Sequence, residues 1–117
     1  MNLKKAKEYC RTLPGVTEDI KWGDNLVFSV GSKMFAVMDE NDKAKAIAVK
    51  VDDERFLELT DRPGIIPAPY LARMKWVLVE DFAKLPEAEA RAMLKRSHEL
   101  IFAKLTKKLQ REIEGAA

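Results

Sequence analysis

Cysteine occurs once and histidine once in this 117-residue chain. One thiol cannot form an internal disulfide, and no Cys/His spacing fits a zinc site. The lone Cys10 suits a reducing cytoplasm, which is the expected location. No run of about 18 apolar residues occurs, so no segment reads as a membrane-spanning helix. The opening Met1-Asn2-Leu3-Lys4-Lys5 lacks the apolar stretch of a signal peptide. Five glycines and five prolines are scattered, leaving no low-complexity segment, linker or repeat. Gly31 and Gly64 stand alone, so no glycine-rich loop is present to cradle a phosphate. Charge of one sign is not in excess either: 21 basic against 19 acidic residues leave +2. That argues against a histone-like polycation and decides nothing about local patches. What is present is a 47% hydrophobic share beside 34% charged residues. This is enough for one soluble, core-forming domain over residues 1–117, expected as a monomer.

The small net charge is a cancellation. Met1 to Leu13 carries four basic residues against one acidic, and Arg91 to Ala117 seven against three. Both ends are basic, at +3 and +4, about a middle of −5. Solvated lysines opposite buried helical stripes would explain such ends. The functional alternative is a cationic face for phosphates, with the acidic middle either elsewhere or screening it. Side by side, the two termini would make one face of about +7; on opposite sides they would not.

Periodicity supplies the elements. Leu3, Ala6, Cys10 and Leu13 fall at helical spacing, with Asn2 as cap and Pro14-Gly15 as stop. Cys10 lies on that apolar stripe, where a thiol packs as a small hydrophobe. Leu26 to Val30 alternates as a strand, and Gly31-Ser32 suits a tight hairpin. Lys33 to Asp39 returns, with Phe35 and Val37 expected on one side and Met34, Ala36 and Met38 on the other. Asp39 to Lys43 is a polar turn. Lys45 to Val51 comes next, with Ile47, Val49 and Val51 on one face. Three strands make an antiparallel meander. Asp52 can cap a short helix, which Arg62-Pro63-Gly64 stops. Pro67 and Pro69 hold an extended path without regular pairing. Lys75 to Val79 is a fourth strand, with Trp76 and Leu78 sharing a face. Pro86 opens a long helix, and Thr106 caps a last one from Lys107 to Glu114. This order predicts an α+β domain with helices packed on one face of an antiparallel sheet.

Few residues carry chemistry. Ser97 and His98 are adjacent on a helix and diverge by about 100°, so they cannot face each other as a nucleophile and its base. Asp39, Asp42, Asp52, Asp53 and Glu54 could gather a hard cation. The loop lacks the ordered spacing and glycine of a calcium site, so a solvated turn and a helix cap are the simpler reading. No metal, cofactor or catalytic group is assigned, and the chain is read as no enzyme. Arg62-Pro63-Gly64-Ile65-Ile66-Pro67-Ala68-Pro69-Tyr70 is rigid and carries residue types common at recognition surfaces. It either covers the end of the core or, with Trp22, Arg62, Tyr70 and Trp76, rims a pocket for an unknown small molecule or protein.

Trp22-Gly23-Asp24, Lys33-Met34-Phe35-Ala36, the Arg62 to Leu71 run and Lys75-Trp76-Val77 resemble the MmcQ/YjbR family of small bacterial proteins. The likeness extends from Leu13-Pro14-Gly15 to Ser97-His98-Glu99-Leu100. It implies a frataxin-like (CyaY-like) arrangement and a DNA-binding role through a double-wing motif, two β-hairpins flanking a helix. The first wing would be the Gly31-Ser32 hairpin, with Lys33 at its base and Lys21 nearby. Asp39 to Lys43, the second hairpin tip, would repel phosphates. Lys50, Arg62, Arg73 and Lys75 could add contacts near the sheet. The best cationic surface is expected at Lys104, Lys107, Lys108 and Arg111, which share a helical side if the helix runs through Thr106. Double-stranded DNA would be held by backbone contacts, through the basic terminal helices and a wing. An iron-handling role rests on fold analogy alone, and the first helix is basic rather than acidic.

Overall fold

The structure, a computed structural model, describes residues 1–115. Helix α1 (Leu3–Arg11) starts where the Asn2 side chain accepts the Lys5 N–H at 2.9 Å, supplying one of the partners that a helix start lacks. Strands β1 (Val16–Lys21), β2 (Asn25–Val30), β3 (Lys33–Asp39) and β4 (Ile47–Lys50) succeed it. Then come the short helix α2 (Phe56–Thr60), β5 (Ile65–Pro67), β6 (Trp76–Val79), the long helix α3 (Glu87–Phe102) and α4 (Lys107–Gly115). The six strands form one sheet in the order β1-β2-β3-β4-β6-β5, antiparallel at every junction. This is the expected α+β class, with a sheet two strands wider than periodicity alone predicts.

The core lies between one sheet face and helices α1 and α3. Phe28, Val30, Phe35, Met38, Ile47, Val49, Val77 and Val79 meet Leu3, Ala6, Cys10, Met93, Leu94 and Ile101 there. Removing these apolar side chains from water supplies the driving force that holds helices on sheet. Burial pushes the Cys10 thiol up to about 12, so it is an inert packing group rather than a nucleophile. A smaller cluster covers part of the opposite sheet face. Ala48, Ala68 and Trp76 pack there with Met34, Val37, Leu71 and Leu78, so the proline-rich stretch after β5 roofs the back of the sheet.

Simple alternation fails in β3. Phe28 pairs with Ala36 and Ser29 with Met34, so a register shift leaves Phe35 as an extra residue. Such a bulge exchanges the faces of the strand residues beyond it. Phe35, Ala36 and Met38 enter the core, and Met34 and Val37 turn to the back. The β3–β4 ladder ends at the Ala36–Val49 pair, and a serine bridges the backbone groups just beyond it. The Ser97 hydroxyl donates to the Phe35 carbonyl at 2.6 Å and accepts the Lys50 N–H at 3.0 Å. Both backbone groups would otherwise be buried without partners. Ser97→Ala is therefore expected to cost about 2 kcal/mol, read as a lower urea midpoint with an unchanged slope. Ser97→Thr, which keeps the hydroxyl, should recover much of it. A neutral Ser97→Ala would mean the ladder closes without the hydroxyl.

The C-terminal helix is fastened by polar and apolar contacts. Thr106 Oγ1 accepts the Leu109 N–H at 3.2 Å, and the Gln110 amide donates to the carbonyls of Phe102, Ala103 and Leu105. Those carbonyls lie at the end of α3 and in the turn after it, where intrahelical donors run out. The chain thus breaks at Thr106. Leu109 and Ile113 pack on the core beside Leu13, Val16 and Phe102. Among the described residues no helix is long and apolar enough to cross a membrane.

Candidate nucleic-acid interface

In a meander, consecutive turns lie at opposite ends of the sheet, and this decides where the charges go. The Gly31-Ser32 turn closes the Val30–Lys33 pair, whereas Asn25 pairs with Asp39 at the other end. The acidic Asp39–Lys43 loop is therefore remote from the first hairpin and does not screen it. It lies beside the β1–β2 turn, where the Glu40 N–H donates to the Asp24 carbonyl at 2.8 Å. Lys21, expected near the first wing, pairs with Asn25 and so belongs to this acidic end. The Asp39 carboxylate accepts the N–H groups of Ala44, Lys43 and Asn41, which holds its pKa below the ordinary value. These carboxylates organise a turn.

The end carrying the Gly31-Ser32 hairpin is cationic. Lys33 starts β3, and Lys50 ends β4 opposite Trp76. Because Pro67 pairs with Val77, the β5–β6 connection, with Arg73 and Lys75, also emerges here. Helix α4 is docked onto the same hairpin, since the Gly31 backbone abuts Leu105 and Leu109. That brings Lys104, Lys107, Lys108 and Arg111 to this end. Because of the break at Thr106, Lys104 sits in the inter-helix turn and does not share a helical side with the other three. The Lys50 ammonium donates to the Met74 carbonyl at 2.5 Å. Burial lowers its pKa below the ordinary lysine value; Lys104 and Lys75 add to the fall, and Asp53 and Asp52 oppose it. Lys75 lies 5.0 Å from the Phe56 ring centroid. Among the described residues none of these eight cations is in an ion pair.

The α1 cations do not join them. Lys7 reaches the acidic end, bonding Asp42 at 2.6 Å and the Glu40 carbonyl at 2.8 Å. Arg11 holds Glu18 through two hydrogen bonds, an interaction that lowers the Glu18 pKa. Lys4 shares a surface depression with Asp42 and Asp81. The summed face of about +7 expected from the two termini therefore does not form, because Lys7 is held by Asp42 and Arg11 by Glu18. Arg62 is also drawn away: it makes a two-point contact with Glu89 at 2.8 Å, at the first turn of α3. Asp52, expected to cap a helix, makes no capping bond; it accepts instead from Arg96.

The four residues of the alternative pocket lie apart. Trp76 is buried against Ala48 and Ala68, Arg62 is held by Glu89, and Trp22 projects from the β1–β2 turn at the acidic end. Tyr70 is fully exposed on the β5–β6 connection. Neighbouring Ser97 and His98 are both committed elsewhere. The His98 Nε2 lies 2.8 Å from the Pro14 carbonyl; a carbonyl only accepts, so that nitrogen carries the proton. His98 also floors a depression of about 260 Å³ with Leu13, Pro14, Lys95, Glu99, Phe102 and Glu114, which periodicity gave no means of finding. Among the described residues no group of three or more His, Cys, Asp or Glu side chains is placed to hold a metal ion.

Comparison with known proteins agrees with this architecture. A Deinococcus radiodurans protein with a DUF419 domain has a crystal structure similar at TM-score 0.86 and 27% identity, over 97% of this chain and 88% of that one. A Pseudomonas syringae protein is similar at TM-score 0.71 and 26% identity, over 86% of this chain and 99% of that one. No curated protein matches the chain. The model of the YjbR family matches residues 11–100, a span from the end of α1 through most of α3, and the chain belongs to the YjbR family.

Proposed function

We propose that this protein is a non-enzymatic nucleic-acid-binding module that holds the phosphate backbone with its hairpin end. The observation that supports the reading is a cluster of unpaired cations at one end of the strand axis. Lys33, Lys50, Arg73, Lys75, Lys104, Lys107, Lys108 and Arg111 gather at one end, without carboxylate partners among the described residues. Asp24, Asp39, Glu40, Asp42 and Asp81 collect at the other, among Lys4, Lys7, Lys21 and Lys43. A molecule of this kind orients itself toward a polyanion before contact. Two projections, the Gly31-Ser32 hairpin and the β5–β6 connection, stand at the cationic end with α4. The second wing is thus assigned to the β5–β6 connection rather than to the acidic Asp39–Lys43 tip. Binding would be backbone-dominated, because lysine contacts to phosphate position a protein without reading sequence.

A short labelled DNA duplex, titrated by fluorescence anisotropy across a salt series, tests this. About four phosphate contacts give a log–log slope near −3.6. Absence of binding to both duplex and single-stranded DNA at about 50 mM salt would end the nucleic-acid reading, since phosphate attraction is strongest at low salt. Trp22, Arg62, Tyr70 and Trp76 do not rim a common pocket, because Trp76 is buried and Arg62 is held by Glu89.

A further inference from the structure

The β5–β6 connection displays an aromatic ring in an unusual way. The Ala68 carbonyl accepts the Leu71 N–H at 3.1 Å, closing a turn with Pro69 and Tyr70 at its centre. Tyr70 has φ +66. Proline followed by a left-handed residue is the pattern of a type II turn, whose third position favours glycine. A tyrosine there is strained, and strain in a bulky residue points to a role the fold itself does not need. Packing does not offset it: the residue is 103% exposed.

The turn is nonetheless rigid. Ala68 and Trp76 are buried at 2% and 4% exposure. The Ala68 N–H donates to the Trp76 carbonyl at 3.0 Å, and the Trp76 N–H to the Leu71 carbonyl at 3.3 Å. Leu71 packs on the same cluster. The ring is thus held out in water on a fixed base, so that little backbone freedom remains to be lost when it meets a partner. Cations surround it, with Arg73 and Lys75 in the same connection and Lys50 near Lys75 and Lys104, and with Asp52 and Asp53 also near Lys50. Trp22 is a useful contrast. It too is left-handed, at φ 49, but it stands at the opposite end of the sheet, beside Asp24 and away from the unpaired cations.

We propose that Tyr70 is a stacking platform for an unpaired nucleobase, so that the cationic end prefers a polynucleotide with single-stranded bases over a closed duplex. This rests on the phosphate-binding reading above. In a duplex each base already has a neighbour on both faces, and a ring outside the helix finds a free face only where a base is unpaired. Aromatic stacking of this kind tolerates any base, which fits a surface with no assigned base-reading group.

The test compares one labelled sequence as single-stranded DNA, as single-stranded RNA and as blunt duplex DNA, by anisotropy. The wild type should bind single strands more tightly than duplex, with the two single-stranded arms showing whether the sugar matters. Tyr70→Ala should weaken single-strand binding by about tenfold and duplex binding by less than about twofold, and Tyr70→Phe should retain both. Tyr70→Gly should lose single-strand affinity in the same way while raising Tm, because glycine accepts the left-handed backbone. A Tyr70→Gly variant with lowered Tm would mark the ring as structural and overturn the inference. If Tyr70 variants leave all affinities unchanged while reversal of Lys107, Lys108 and Arg111 abolishes binding, stacking is refuted and the phosphate reading stands. If the wild type binds no oligonucleotide, both fall. Tyr70-dependent binding to phosphatidylserine vesicles without oligonucleotide binding would overturn both in favour of a membrane surface.

Discussion

Gly31→Ala is expected to lower the stability of this protein by about 3 kcal/mol, from two separate causes. The residue has φ +56, and a Cβ built on it lies 2.7 Å from both terminal carbons of Leu105 and 3.0 Å from one of Leu109. The left-handed backbone alone costs alanine about 1–2 kcal/mol. Forcing a methyl against packed side chains adds roughly 1–3 kcal/mol. Leucine tips can rotate, but Leu105 is buried, so its displacement moves other core groups in turn. Gly64→Ala is the control. It shares a left-handed φ of +87, yet its Cβ meets nothing within 4 Å, so only the backbone cost of about 1–2 kcal/mol applies. Urea unfolding of both variants separates packing from strain. Equal losses would show that α4 does not rest on the hairpin. Because Leu105 and Leu109 fasten α4, Gly31→Ala should also weaken oligonucleotide binding, since it loosens the helix carrying Lys107, Lys108 and Arg111.

The parts of the fold visible in the sequence are those with a buried face. Leu3, Ala6 and Cys10 announce α1, and Ile47, Val49 and Val51 announce the inner side of β4, because burial forces a period on the residues. Strand β1 gives no such signal. In Val16-Thr17-Glu18-Asp19-Ile20-Lys21 only Val16 is even half-buried, so an edge strand with charged sides reads as loop. Strand β5 is three residues long and contains Pro67, too short for alternation to register. In β3 the pattern is present but misleading, since one extra residue at Phe35 inverts every face after it. The candidate site is legible in its residues and not in its arrangement. The cations of α4 are plain in the sequence. That α1 would spend Lys7 on Asp42, across 35 positions of chain, depends on tertiary closure that no local pattern encodes. The position of the acidic loop was inferable, because three consecutive antiparallel strands must put their two turns at opposite ends.

Charge reversal at the two ends should therefore have unequal effects. Lys107→Glu, Lys108→Glu and Arg111→Glu together are expected to weaken duplex binding by at least about a hundredfold. Each removes a phosphate contact and substitutes a repulsion, and losses near ~1 kcal/mol apiece multiply to that order. The salt slope should flatten from about −3.6 toward about −1 as roughly three contacts vanish. These side chains are exposed and unpaired among the described residues, so Tm should change little. Reversing Lys4, Lys5 and Lys43 alters net charge by the same amount. Those lysines lie on the N-terminal half of α1 and on the Asp39–Lys43 loop, at the end of the sheet opposite the Gly31-Ser32 hairpin. Their reversal should change affinity by less than about threefold at roughly 0.15 M salt, because charges beyond a Debye length of about 8 Å are largely screened. Equal losses from the two sets would mean that binding follows total charge and not its placement. The clustering of cations at one end would then have no part in function.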